Sequence, residues 1–455
     1  MEGNKGKLRK ELGFSMTVAI IVGQMIGSGI YMTPQGLAEL ANPKVAILAM
    51  LITGIGTLFL ALSFAKLTKR EALTGSAIVH TQRAFGDMPA FWVGWSYWCG
   101  CWTANGAIAV AAVKYASYFY SPFATNNTLQ LGAVLLILWF YTLVNIIGVK
   151  AAGVFNLILT IVKLVPIFIF MVVAFLNFDS SNLNTVSSPS VAGMSVLPAA
   201  MAYCLWSYIG FEGATVTAGE VKDDAFIGKA TVISTIAVML LYILLITLAA
   251  GTMSQSELAA SSSPLADIMR NLTGAYWAGA LISIGGSLSA FGCVGAWILS
   301  TGRVSYSLAE LNLLPPVFKK IDPKSGSPVG SLIINGILMT IVMIIGYANT
   351  TGNVYNFLIM LAVMSFLVFY LFGAASEIYL SGREIKQFNL FNFIKYSSIS
   401  LIAFIYTVYT IYGAGAEYVL YGFLLLLIGI PFYIFIKLSM NSGRSESVGN
   451  PDRSV

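Results

Sequence analysis

One histidine, four cysteines and 10% charged side chains in 455 residues leave little for an enzyme to work with. His80 alone cannot assemble most catalytic triads or multi-histidine metal sites, and it falls between apolar stretches, where it carries no assigned role. The phosphate loop G-x-x-x-x-G-K-[ST] and the zinc helix H-E-x-x-H are both missing, so ATP-driven transport and zinc hydrolysis find no support in this chain. Cys99, Cys101, Cys204 and Cys293 all lie within apolar runs. That placement suggests neither a disulfide framework nor a tetrahedral zinc site, and it reads as small core residues.

What the chain has instead is hydrocarbon: 57% of its residues are hydrophobic and its mean hydropathy is +0.81. This composition defines a polytopic, all-α membrane protein. About twelve spans are expected, at 14–38, 44–67, 88–120, 128–147, 151–177, 196–217, 230–252, 275–302, 329–348, 355–380, 396–413 and 417–437. Together they make one transmembrane domain, 14–440, between an N-terminal segment, 1–13, and a polar tail, 441–455, expected to be disordered. The apolar run after Lys5, Lys7, Arg9 and Lys10 has no cleavage pattern, so the first span is expected to stay in the membrane. Only Lys44 and Arg270 fall on the far side, and Lys114 and Lys163 fall inside spans. The remaining basic residues share the side of the N-terminus, which puts both termini in the cytoplasm and explains the net charge of +6 without nucleic acid.

The first span is interrupted. Val22 to Pro34 reads VGQMIGSGIYMTP, with Gly27, Ser28 and Gly29 in mid-helix. Small residues there would let two helices pack closely. A broken helix at membrane depth would instead line a cavity, offering N–H groups from one half-helix and carbonyls from the other to a carboxylate and an ammonium. A second glycine-flanked interruption, WSYIGFEG at 206–213, lies about five spans later. Spans one to five and six to ten, about 14–177 and 196–380, then form repeats of opposite topology. Paired breaks of this kind point to the binding site of a secondary transporter. A channel or a membrane-embedded sensor explains them less simply.

Three further features are chemical. Glu212, a carboxyl inside the second break, is a candidate proton-sensitive element or a hydrogen-bonded core acid. Lys163, in mid-span, must face the bundle, where an ammonium could hold the carbonyls of the first break in place of a bound cation; Lys114, nearer a span end, is expected to snorkel. Tyr97, Trp98, Trp102 and Asn105 in the third span, with Trp297 in the eighth, could form a pocket for a planar or cationic head or simply pack.

GSGI in the first span, WSYIGFEG followed by ATVTAGEVKD in the sixth, and GAWILSTGRVSYSLAELNLLPPVF around the eighth together resemble the amino acid, polyamine and organocation transporter superfamily. The likeness covers nearly the whole chain and is strongest to bacterial basic amino acid and polyamine antiporters. It implies a LeuT-like fold of two inverted five-helix repeats with discontinuous helices one and six, and alternating access. It also implies that Ser28 and Gly29 bind the substrate carboxylate, that carbonyls of Met25, Trp206 and Ile209 take the α-amino group, and that Asn105 and Trp297 receive the head. Tyr97 and Trp206 would be gates and Glu212 the proton-sensitive group. An inner-membrane location, a homodimer and the absence of any cofactor or metal are implied as well. Two departures stand out. Gln24 replaces a shorter amide, and Lys163 is similar to the fifth-span lysine of neutral amino acid transporters in the same superfamily. The expected activity is exchange of a basic amino acid for a related amino acid or polyamine. The alternative is proton-coupled transport of small neutral amino acids.

Overall fold

A backbone surrounded by hydrocarbon has no water to satisfy it, so long apolar runs must close their own hydrogen bonds as helices. A computed structural model describes residues 8–184, 193–261, 263–349, 354–386 and 389–448. Within them the fold is helical, with only an isolated bridge between Leu12 and Val221 outside that rule.

The first half runs α1 (Phe14–Met25), α2 (Gly29–Leu40), α3 (Pro43–Arg70), α4 (Ser76–Phe85), α5 (Asp87–Ala116), α6 (Pro122–Thr125), α7 (Asn127–Ile147) and α8 (Val149–Leu176). The second begins with α9 (Leu197–Leu205), α10 (Gly213–Val216), α11 (Ala225–Thr252), α12 (Gln255–Ala260), α13 (Pro264–Thr273) and α14 (Tyr276–Glu310). It closes with α15 (Val329–Asn349), α16 (Val354–Arg383), α17 (Leu390–Ala414) and α18 (Ala416–Val448). Helix starts follow local chemistry. Asn42 caps α3 by accepting from the Val45 N–H at 3.0 Å, with Pro43 in the first turn.

Helices lie along each of the twelve expected stretches, with 14–38 and 196–217 interrupted, and ten candidate spans, with α1 and α2 counted as one, are long and apolar enough to cross a membrane among the described residues. The other two are α5 and the short pair α9/α10. Helix α5 is 30 residues long, about 45 Å at the usual rise, yet its sequence is more polar. The reason is its position: α5 packs between α14 and α16 and has most of its side chains buried, so it needs no lipid-facing stripe. Peripheral helices show the opposite pattern, with Phe168, Val172, Phe175 and Leu176 of α8 and Phe432 and Phe435 of α18 exposed to the hydrocarbon side. One boundary differs from expectation: α18 continues to Val448, so the polar run from Asn441 begins as helix rather than as a disordered tail. His80 lies buried in α4, its ring Nδ1 2.6 Å from the Ser76 carbonyl. Burial pushes its pKa below the usual histidine range, so the ring stays neutral near pH 7. Lys114 is half-buried, its ammonium 5.8 Å from the centre of the Tyr355 ring.

Candidate functional site

The α1 helix stops when Ile26 turns to φ −93°, ψ 84°, after its N–H has bonded the Val22 carbonyl at 2.8 Å. The carbonyls that follow lose their helical partners and must find others. Side chains supply them one by one. Lys163 Nζ lies 3.0 Å from the Gly23 carbonyl and also donates to that of Ile26. Trp297 Nε1 and Cys293 Sγ approach the Gln24 carbonyl at 3.3 and 3.2 Å. The Tyr242 hydroxyl donates to Met25 at 3.0 Å, and Ser289 Oγ to Ile26 and Gly27 at 3.3 and 3.2 Å. At the start of α2, Ser28 Oγ accepts from the Tyr355 hydroxyl at 3.0 Å.

Gly27 is required by packing, because a Cβ there would sit 2.5 Å from the Cys293 sulfur. The second break spans 206–212. Its pivot, Gly210, has φ 114°, in the region that only glycine adopts without strain, and a Cβ there would meet Gln24 Cβ at 2.6 Å. The two interruptions therefore touch. Fully buried Glu212 turns back into its own loop: Oε2 accepts the Gly210 N–H and the Tyr370 hydroxyl, each at 3.0 Å, while Oε1 accepts the Tyr97 hydroxyl at 2.8 Å.

Between the breaks lies a closed cavity lined by Gln24, Met25, Gly27, Ser28, Gly29, Ile108, Trp206, Ile209, Cys293 and Trp297. Seven of the eight residues expected around a substrate are in that wall. The eighth, Asn105, sits beside it: its Nδ2 donates to the Cys101 carbonyl at 2.8 Å and to Thr301 Oγ1 at 3.0 Å, and Thr301 in turn donates to the Trp297 carbonyl at 2.7 Å. Asn105 Oδ1 and Gln24 Oε1 are buried without a hydrogen-bond partner among the described residues. Tyr97 is not in the wall, since its hydroxyl is committed to Glu212. The free space is about 10 Å³, enough for roughly one water molecule and far short of an amino acid.

A buried ion pair lies at the end of the bundle that carries the N-terminus. Arg303 of α14 grips Glu220 in two parallel contacts, Nε to Oε2 at 2.8 Å and Nη2 to Oε1 at 2.6 Å, with both side chains inaccessible to solvent. The Glu220 carbonyl also accepts the Glu11 and Leu12 N–H groups at 3.0 and 2.9 Å. The N-terminal segment is thereby tied to the chain just after the second break.

Tyr242, Tyr355, Tyr370, Ser289 and Glu220 were not legible as site residues. With 22 tyrosines in the chain, no mid-span tyrosine stands out by type, and Glu220 reads as an ordinary loop charge. The usable signal was the break itself, which demands donors without saying from where.

Two touching helix breaks around a closed cavity define a membrane transporter of the discontinuous-helix class. The chain belongs to the amino acid permease family, whose profile matches residues 12–444. Among similar proteins, an arginine/agmatine antiporter of Chlamydia caviae is 31% identical over 95% of this chain and 91% of its own length. An arginine/ornithine antiporter of Latilactobacillus sakei is 28% identical, over 94% and 90%. In fold the chain is similar to a nucleobase-cation-symport-1 family transporter, solved closed with bromovinylhydantoin bound, at a TM-score of 0.55, 12% identity and 96% coverage of each chain.

Proposed function

We propose that this permease exchanges a basic amino acid, arginine first among them, for a related amino acid or amine by alternating access. The carrying observation is the meeting of both breaks at one cavity faced by Trp297, with Asn105 behind it. The named activities of the relatives point the same way. In this reading the substrate carboxylate takes the N–H groups at Gly27, Ser28 and Gly29. The α-amino group takes the carbonyls of Met25, Trp206 and Ile209, displacing the Tyr242 hydroxyl from Met25. Trp297 stacks on the cationic head and Asn105 accepts from it through its unpartnered Oδ1. Trp206 and Tyr97 gate the site, and protonation of Glu212 releases Tyr97 and Tyr370. The repeats 14–177 and 196–380 rock against each other, with both termini on the cytoplasmic side of the inner membrane.

A second reading has its own observation. Lys163 places a fixed ammonium on the carbonyls of the first break, which favours a small neutral amino acid over a dicationic amine. Counterflow separates the two. Proteoliposomes loaded with arginine should accumulate labelled arginine, ornithine or agmatine well above alanine and serine. Exchange confined to alanine and serine would reject the basic-substrate reading in favour of the second.

A further inference from the structure

A basic hollow lies well away from the substrate cavity. It lies where α3 and α16 end and α17 begins, a space of about 950 Å³ whose walls include Lys66, Lys69, Arg70 and Lys386 against only Glu377 and Glu384. The two carboxylates are already engaged. Buried Glu377 accepts from Ser381 at 2.5 Å and from Ser400, with Lys66 and Arg70 at 3.7 and 3.8 Å; Glu384 pairs with Arg70. Lys69 and Lys386 form no ion pair among the described residues, so the hollow keeps two excess positive charges. Arg70 Nε is buried without a partner on the same wall.

We infer that this hollow binds the phosphate headgroup of an anionic phospholipid. A phosphate supplies the missing negative charge, and basic hollows between membrane helices are suited to such headgroups. The flank argues for a lipid over a free phosphate compound. The first turns of α17, whose Asn392 and Tyr396 line the hollow, also present Leu390, Phe391 and Ile394 outward, an apolar shoulder for acyl chains beside a charged floor. The bound headgroup would bridge α3, α16 and α17, linking both repeats to a helix outside them.

The test is native mass spectrometry of the full chain titrated with phosphatidylglycerol or phosphatidylcholine, with free glycerol 3-phosphate as competitor. Phosphatidylglycerol should bind preferentially and resist glycerol 3-phosphate. The double variant Lys69→Ala/Lys386→Ala should bind it about 25-fold more weakly, roughly fivefold per lysine, whereas Lys69→Arg/Lys386→Arg should retain it. Arginine counterflow by the double alanine variant in phosphatidylcholine liposomes should match wild type, because neither lysine touches the substrate site. Equal binding of both lipids, or unchanged affinity in the alanine variant, overturns the inference; displacement by glycerol 3-phosphate at matching concentration overturns the lipid assignment.

Discussion

The two helix breaks solve one problem with opposite chemistry. At the first, freed carbonyls at the negative end of α1 are met by donors from outside: an ammonium on α8, a phenol on α11, and a hydroxyl, a thiol and an indole on α14. At the second, the loop carries its own ionisable group. Glu212 draws in one N–H from its loop and one phenol each from α5 and α16. The lesson is that an interruption at membrane depth needs a polar side chain of matching sense, and the sense follows from which backbone groups are freed. The anchors overlap only in part: α8, α11 and α14 serve the first break and α5 the second, while α16 reaches both, through Tyr355 to Ser28 and through Tyr370 to Glu212. Movement of α16 therefore acts on both breaks at once, whereas movement of α8 or α5 acts on one.

Removing the cation should do the most damage. Lys163→Ala strips charged donors from two buried carbonyls, at about 1.5–3 kcal/mol each, and counterflow per correctly folded molecule should fall by more than about 100-fold, with Lys163→Arg between the two. Near-normal exchange by the alanine protein would mean that the first break does not depend on a cation. Next comes the carboxyl: Glu212→Gln keeps the shape and should cost about tenfold in rate, on the order of one lost charged hydrogen bond. Its transport should also lose pH dependence, whereas His80→Asn, which removes a ring already neutral near pH 7, should leave the profile unchanged. An unaltered profile in Glu212→Gln would end the proton role. Trp297→Ala should weaken arginine more than alanine by about 1–2 kcal/mol in binding titrations; equal losses argue against stacking. The smallest effect belongs to Tyr242→Phe, which should lower stability by about 1 kcal/mol while leaving arginine binding equal or tighter, because the Met25 carbonyl is released.

Span positions were readable because hydrocarbon leaves a twenty-residue imprint on sequence, and the breaks because two glycine-flanked interruptions recur five spans apart, which close packing alone does not require. Lys163 was readable for a similar reason, being too deep to reach water. The donors around it were not. Tyr242 and Ser289 are unremarkable residue types whose value arises only from the depth at which α11 and α14 cross α1. The burial of Asn105 could be inferred, but its place behind the wall depends on the rotation of α5. The Glu220–Arg303 pair was hidden because an acid at a loop and a base at a span end each read as solvated charge.

The tightness of the cavity bears on how affinity will be measured. A shape with room for about one water cannot receive substrate, so ligand must wait for the molecule to open. If the open form is about 1% of the population, the observed dissociation constant is about 100 times the intrinsic one. Weak apparent binding would then report the rarity of opening more than poor contacts. A distant substitution that loosens closure could tighten measured affinity with no new bond to the substrate.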